Sequence, residues 1–321
     1  MNSLVTICVT TYNRKKLLPI TIKSILQQSY SNFELIIVDD FSTDGTKEFV
    51  KNNILPLDNR IKYIRHNQNK GLASARNTAI FNAQGKYFTF IDDDDTWKKE
   101  FISNFIDIAH CYNEKYVFCT SIISFNKSIK MLSASMRDFL ILGYTPPVGS
   151  QFYLTKSLRT IGGYDTNITS GIDHDLWITL GKENYHLIWL NHAMVQVNPI
   201  ASNQRITYNI DKRITGIQNS LSIWRNRVGN SFGKDFFQCL EKNYQYNTYK
   251  KFILLSLKDK KNNNLLYYFK CLPKKLFLLD LKRYLFNKNR LLKHPTFIPC
   301  NNLQNKTSSE LMEIKNDTTS I

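Results

Sequence analysis

The feature that most constrains the fold is an alternation of two patterns over about the first 100 residues. Short runs rich in β-branched and aromatic side chains predict strands, and stretches with helical spacing of apolar residues predict helices. The predicted strands are 4–10, 34–40, 60–65 and 86–92, and predicted helices include 17–28 and 72–83. Alternating units of this kind favour a mostly parallel sheet with helices on its faces. The sequence therefore predicts an α/β fold.

All four predicted strands are followed by polar residues, at 10–13, 39–44, 66–71 and 92–95. Ligands of open α/β sheets bind beyond the carboxyl ends of the strands. We therefore expect a ligand site where these four segments meet.

The stretch "YFTFIDDDDTW" (87–97) ends a hydrophobic strand in four adjacent aspartates. Mg²⁺ and Mn²⁺ prefer oxygen ligands and commonly use one or two protein carboxylates together with substrate phosphates. Asp92 and Asp94 are two residues apart, so at the end of a strand both can reach one ligand from the same side. A solvated acidic loop or a helix cap is the alternative, but the position after a buried strand favours the cation site.

Charge is unevenly distributed along the 321 residues, which carry a net charge of +17. The segment Glu241–Lys293 contains 14 Lys or Arg and three acidic residues, interleaved with Leu, Phe and Tyr. This pattern fits solvated helices that pack on a catalytic domain, and it also fits a surface that binds anionic lipid headgroups.

No apolar run approaches the roughly 20 residues that span a bilayer, and we expect no signal peptide. The six scattered cysteines argue against a zinc site and favour a reducing compartment.

Six motifs together resemble the signatures of family 2 glycosyltransferases with the GT-A fold. They are "VTICVTTYNRKKLL", "FELIIVDDFSTDGT", "NKGLASARNTA", "FTFIDDDDTW", "IGGYD" (161–165) and "GIDHDLWITL" (171–180). The resemblance implies a GT-A catalytic domain over 1–205, with a nucleotide-binding half (1–100) and an acceptor half (101–205). A basic helical C-terminal region (206–299) and a disordered tail (300–321) are expected to follow.

The resemblance also implies roles for individual residues of the nucleotide-binding half. Thr10 and Tyr12 would surround the nucleotide base, Asp40 would hydrogen-bond it, and Arg76 would lie near the nucleotide. Three of these residues have a structural alternative, namely core packing for Tyr12, a turn or helix cap for Asp40, and an exposed helix position for Arg76.

In the acidic run, the resemblance implies that Asp94 ligates a metal that bridges the donor diphosphate. Asp92 would face the ribose or the metal, and Asp93 would contribute to donor binding. Asp95 is expected to cap the following helix.

The catalytic base implied by the resemblance is Asp173 in "GIDHDLW", with Asp175 as the fallback. Relatives usually carry Glu at the position of Ile172, so this sequence departs from the family pattern beside the base. Asp173 could alternatively be the N-cap of a helix.

The implied activity is inverting, Mn²⁺- or Mg²⁺-dependent transfer from a nucleoside-diphosphate sugar, with a UDP-sugar favoured. The acceptor would be a glycan or lipid-linked sugar of a bacterial surface polysaccharide or lipo-oligosaccharide, at the cytoplasmic face of the membrane, where an anionic surface is a further candidate partner.

Other nucleotide-sugar chemistry is an alternative, although "TTYNRKK" lacks the glycines of a pyrophosphorylase loop. A non-catalytic or nucleic-acid-binding protein is another, suggested by the pI of about 9.5. The acidic run opposes nucleic-acid binding, so no nucleic acid is expected as a partner.

Overall fold

The computed structural model describes residues 3–112, 115–121, 131–140, 146, 148–198 and 210–259. The predicted tail at 300–321 and most of the basic segment Glu241–Lys293 lie outside the described residues.

The strands follow the predicted positions closely in the first 100 residues. They are β1 (Val5–Thr11), β2 (Phe33–Asp39), β3 (Ile61–Arg65), β4 (Tyr87–Asp92), β5 (Thr96–Trp97), β6 (Tyr116–Ser121), β7 (Met131–Ser135), β8 (Gln151–Leu154), β9 (His186–Ala193) and β10 (Val195–Gln196). The helices are α1 (Leu18–Leu26), α2 (Thr46–Phe49), α3 (Leu72–Asn82), α4 (Phe101–Ala109), α5 (Met136–Leu140), α6 (Thr155–Thr160), α7 (Ile172–Lys182), α8 (Ile210–Phe232) and α9 (Lys234–Asp259).

Within the described residues, eight strands form one sheet in the order β3-β2-β1-β4-β8-β6-β9-β7, and β10 pairs with β5. The pairs β1–β2, β2–β3, β1–β4 and β6–β9 are parallel. The pairs of β8 with β4 and β6, and of β7 with β9, are antiparallel. The predicted α/β fold with a mostly parallel sheet is confirmed.

The central strands are buried along their whole length because the sheet is covered on both faces. Every residue of β1 and β2 is buried. The side chains of Leu18, Ile22 and Ile25 on α1 belong to the same core cluster as the alternating apolar residues of these strands. Pro19 is tolerated because it lies in the first turn of α1, where a backbone N–H has no helical partner.

The strand register brings the polar strand ends to one edge of the sheet. Thr11 of β1 pairs with Asp39 of β2, and Thr10 pairs with Asp92 of β4. β2 and β4 lie on opposite sides of β1, so the order of the strands reverses at this point. In open α/β sheets the ligand crevice lies at such a reversal.

The chain divides into two compact units, Met1–Met136 with Pro146–Ser220, and Arg137–Thr145 with Leu221–Ile321. The first contains the sheet. In the second, the rings of Trp224 and Tyr244 pack at 5.1 Å, and the Arg137 guanidinium lies 5.0 Å from the Phe236 ring. Across the helices that the structure describes, none has the length and hydropathy of a membrane-spanning segment.

Candidate active site

The four aspartates that end β4 occupy different surroundings. The Asp92 side chain is 35% exposed, whereas Asp93, Asp94 and Asp95 are buried. One carboxylate oxygen from each of Asp92, Asp94 and Asp95 lies within 4.8 Å of the others. Three oxygens at this spacing fit a hard divalent cation. The predicted pair, Asp92 and Asp94, is therefore part of a set that also includes Asp95.

Asp95 does not cap the following helix, so that prediction is wrong. α4 begins at Phe101 with Glu100 at its N-cap, because the short strand β5 lies between the acidic run and the helix. The Asp95 carboxylate instead accepts a hydrogen bond from the backbone N–H of Asn198 at 3.1 Å. Its carbonyl accepts one from the Thr21 hydroxyl at 2.8 Å.

Arg14 neutralises part of the acidic run. Its Nη1 lies 2.9 Å from Oδ1 of Asp93 and 3.1 Å from Oδ2 of Asp94. Burial raises the pKa of Asp93 to about 7, even though Arg14 favours the charged carboxylate. The motifs did not single out Arg14, although its position just beyond β1, among the polar strand ends, is a signal for a site residue.

Two loops at the carboxyl edge are joined by side-chain hydrogen bonds. The backbone N–H of Asn13 donates to the Ser42 hydroxyl at 2.9 Å, and the N–H of Thr43 donates to Oδ1 of Asn13 at 2.7 Å. Thr10 is buried just below these loops, whereas Tyr12 is 47% exposed. Tyr12 is therefore not a core residue, and its ring is accessible to a ligand at this edge.

Asp40 is buried and holds the loop between β3 and α3. Its carboxylate accepts hydrogen bonds from the backbone N–H groups of Lys70 at 2.8 Å and Gly71 at 2.7 Å. The His66 Nδ1 lies 2.7 Å from the same carboxylate. These bonds fix Asp40 at the strand edge, and its contact with a nucleotide base stays a prediction.

Arg76 on α3 is 1% exposed and joins two carboxylates from distant parts of the chain. Its Nη1 donates to Oδ1 of Asp173 at 2.8 Å, and its Nη2 donates to Oδ1 of Asp92 at 3.3 Å. The guanidinium carbon lies 4.3 Å from the centre of the Phe90 ring and 5.3 Å from that of Tyr164. Burial opposes the charge of Arg76, but the neighbouring carboxylates outweigh it and raise the pKa of Arg76. Arg76 is thus not the exposed helix residue of the alternative interpretation.

Asp92 lies between opposing influences. Burial raises the pKa of its carboxyl, the positive charge of Arg76 lowers it, and the nearby carboxylates of Asp94 and Asp173 raise it. The net effect is that the pKa of Asp92 is raised. A divalent cation at this cluster would favour the charged form.

Asp173 lies in the first turn of α7, and its side chain is 16% exposed. Gly171, with φ of 75°, is the N-cap, so Asp173 does not cap the helix. α7 is held against β8 because the indole N–H of Trp177 donates to Oε1 of Gln151 at 3.1 Å and to the hydroxyl of Tyr153 at 3.0 Å. Asp175 is 2% exposed, as expected for a residue that points into the protein.

The "IGGYD" motif attaches the segment before α7 to α3. Gly163 has φ of 73°, and a Cβ there would lie 2.4 Å from Oδ1 of Asn77, so the position favours glycine on both grounds. Asn77 uses that oxygen to accept from the Tyr164 N–H at 2.7 Å, and its amide donates to the Tyr164 carbonyl at 2.8 Å. α3 therefore positions both Tyr164 and Asp173.

Residues 6–174 match the model of the family described as "Glycosyl transferase family 2". The chain is a family 2 glycosyltransferase. The predicted family and enzyme class are confirmed.

Among curated proteins, this glycosyltransferase is similar to WcaA of Escherichia coli K12, whose name assigns it to colanic acid biosynthesis. The two are 31% identical over 213 residues, which cover 61% of this chain and 76% of WcaA. It is 36% identical over 190 residues to the E. coli UDP-Glc:alpha-D-GlcNAc-diphosphoundecaprenol beta-1,3-glucosyltransferase WfaP, covering 59% and 69% of the two chains. Other relatives are much longer, and the match covers 30% of two glycosyltransferases from Rickettsia.

Solved structures confirm the GT-A fold. The Staphylococcus aureus TarS fragment 1–349 in complex with UDP has a TM-score of 0.61 at 15% identity, covering 90% of this chain and 89% of that one. The mannosyltransferase PcManGT from Pyrobaculum calidifontis, in complex with GDP-Man and Mn²⁺, has a TM-score of 0.59 at 16% identity, covering 90% and 82%.

Proposed function

We propose that this glycosyltransferase moves a sugar from a nucleoside-diphosphate sugar, with a UDP-sugar favoured, to a glycan or lipid-linked acceptor with inversion at the anomeric carbon. The observation that carries the proposal is the cluster of Asp92, Asp94 and Asp95 at the strand reversal, with the Asp173 carboxylate joined to it through Arg76. Complexes of TarS with UDP and of PcManGT with GDP-Man and Mn²⁺ support a nucleotide-sugar donor.

In this proposal the donor lies across the carboxyl edge of the sheet. Thr10, Tyr12 and Asp40 contact the nucleoside, and Asp93 supports the donor side of the site. Asp92 and Asp94 would hold Mn²⁺ or Mg²⁺ against the diphosphate. When bound, such a cation stabilises the negative charge that grows on the departing diphosphate.

Asp173 acts as the general base. The acceptor hydroxyl attacks the anomeric carbon from the face opposite the diphosphate, and its proton passes to the Asp173 carboxylate. Both described contacts to this carboxylate, from Arg76 and from the Tyr164 hydroxyl, end on Oδ1. Within the described part of the chain, Oδ2 is therefore the oxygen that can receive the proton.

The acceptor and location rest on the names of the relatives and on charge. WfaP is named for a diphosphoundecaprenol-linked acceptor, and WcaA for colanic acid biosynthesis. We propose a similar acceptor here, for a surface polysaccharide or lipo-oligosaccharide. The catalytic domain over 1–205 would be brought to the cytoplasmic face of the membrane by the basic region over 206–299.

Replacing Asp94 with Asn tests the metal role. The variant should lose Mn²⁺-dependent release of nucleotide from the donor, because one of the clustered carboxylates is gone, while its melting temperature stays close to that of the wild type. Asp107→Asn is the matched control, since Asp107 is exposed on α4, and it should keep wild-type turnover. Full activity of Asp94→Asn would contradict the metal role.

A further inference from the structure

The Arg76 guanidinium is one cation shared by carboxylates that come from two separate motifs. Asp92 ends β4, and Asp173 lies in the first turn of α7, 81 positions later in the sequence. Both are within hydrogen-bond distance of Arg76, at 3.3 and 2.8 Å. We propose that Arg76 is a positioning residue that holds the base Asp173 in a fixed place relative to the donor-binding carboxylate Asp92. This inference rests on the proposed function and deepens it.

The burial of Arg76 indicates that it acts through other residues. At 1% exposed, its side chain is covered by the protein, and its described contacts are to Asp173, Asp92 and aromatic side chains. A buried charge is tolerated where carboxylates compensate for it. The resemblance places Arg76 near the nucleotide, and its burial favours an indirect contribution there.

The surroundings of Arg76 are suited to fixing a geometry. The guanidinium is flanked by the rings of Phe90 and Tyr164, and such cation–π contacts restrict its plane. The planar fork of arginine presents several N–H donors in fixed directions, so Nη1 and Nη2 can hold two carboxylates at once. Tyr164 is itself attached to α3 through Asn77, the neighbour of Arg76. Helix α3 is thus a common support for the base and for the segment before it.

A positioning role and a purely structural role differ in what they predict. A structural ion pair would lower stability when it is removed, and activity would follow the folded fraction. A positioning role predicts that the rate of transfer falls while donor binding and the folded fraction are kept. It also predicts that the loss depends on Asp173, because Arg76 acts through that carboxylate.

The test is a double-mutant cycle on the full chain with Arg76→Met and Asp173→Asn. Methionine keeps an apolar stem between the two rings and removes the charge. We expect Arg76→Met to lower kcat for transfer by about 10²-fold or more, with the donor KM changed by less than about threefold. In the Asp173→Asn background, adding Arg76→Met should lower kcat by less than about a further threefold. Arg76→Lys, which keeps the charge without the fork, should recover part of the loss.

Arg159→Met is the matched control. The Arg159 guanidinium also supports α3, donating to the carbonyls of Ile80 at 3.1 Å and Ala83 at 2.5 Å. Below its melting temperature this variant should keep the wild-type kcat. The positioning role would be overturned if the losses of kcat from Arg76→Met and Asp173→Asn multiplied in the double variant. It would also be overturned if Arg76→Met and Arg159→Met lowered kcat equally. If Arg76→Met does not fold, the cycle with Arg76→Lys decides in the same way.

The outcomes separate this inference from the proposed function. Normal transfer by Asp173→Asn would overturn both the base assignment and the positioning role, while the sugar transfer itself would stand. Loss of transfer in Asp173→Asn together with normal kcat in Arg76→Met would overturn the positioning role alone.

Discussion

At the residue scale, the site depends on adjacent aspartates that are chemically alike but differently held. Asp92 is paired with Arg76, Asp93 and Asp94 with Arg14, and Asp95 with the backbone of Asn198. The two-residue period of a strand was enough to predict that the Asp92 and Asp94 carboxylates lie close together on one side of the strand end. The place of Asp95 was not predictable, because its partner lies 103 positions away in the sequence.

A single substitution tests the proposed base, Asp173, directly. Asp173→Asn keeps the shape of the side chain and an oxygen for Arg76, but an amide does not accept the acceptor's proton. We expect the dissociation constant for the donor to stay within about threefold and transfer to fall by about 10²-fold or more. Calorimetric titration of the donor and a transfer assay measure the two quantities. Normal transfer would remove Asp173 as the base, and loss in Asp175→Asn alone would assign the role to Asp175.

At the scale of elements, Glu34 ties the other end of the sheet together. Its buried carboxylate accepts hydrogen bonds from the Thr6 hydroxyl at 2.6 Å, the Gln84 N–H at 2.5 Å and the Lys62 ammonium at 2.8 Å. These donors belong to β1, to the turn before β4 and to β3. Burial alone would raise the pKa of Glu34, but the hydrogen bonds, led by that of Lys62, lower it overall. The ionised carboxylate therefore stabilises the fold.

Glu34→Gln should lower the free energy of unfolding by about 1–3 kcal/mol at pH 7. Because the pKa of Glu34 is lower in the folded state than in the unfolded state, its contribution is present above the unfolded value of about 4.3 and is lost as the pH falls through the folded value. The difference from wild type should thus shrink below about pH 4. Urea unfolding at several pH values measures it, with the exposed Glu48→Gln as control. If the difference in unfolding free energy between wild type and Glu34→Gln did not change with pH, the ionised Glu34 carboxylate would not be the stabilising group.

The elements that sequence patterns predicted best are the buried ones. β1 was predicted at 4–10 and lies at Val5–Thr11, because continuous β-branched runs bounded by polar residues are a strong signal. The pattern did not reveal β7, which pairs with β9 alone at the edge of the described sheet. The two-residue β5 also went unpredicted, since its pairing with β10 depends on tertiary contact.

At the scale of the whole molecule, the chain combines an acidic site with a strongly basic C-terminal segment. Charge reversal tests whether that segment binds membranes. Four changes to Glu, at Lys274, Lys275, Lys282 and Arg283, should weaken binding to phosphatidylglycerol vesicles by tenfold or more, since each basic residue near an anionic surface contributes about 1 kcal/mol. Vesicle sedimentation measures the binding.

The matched control carries the same change at four exposed lysines of the catalytic domain, Lys23, Lys51, Lys99 and Lys182. It should bind vesicles more tightly than the C-terminal variant. Equal binding by the two variants would contradict a specific membrane role for the basic segment.

Six motifs in order predicted the family and the GT-A fold, because five of them include a strand end or a helix start and the sixth, "IGGYD", directly follows α6. They did not predict Arg14 or the contacts of Arg76, which depend on packing between distant segments. Donor, acceptor and linkage depend on the shape of the loops around the site.

Metal-dependent sugar transfer can be measured as nucleotide release by the full chain across UDP-, GDP- and dTDP-sugars, with and without Mn²⁺. We expect Mn²⁺-dependent release with one class of donor, with UDP-sugars favoured, and transfer of the sugar to a lipid-linked glycan. No release with any donor in the presence of Mn²⁺, combined with salt-sensitive binding to nucleic acid, would contradict it.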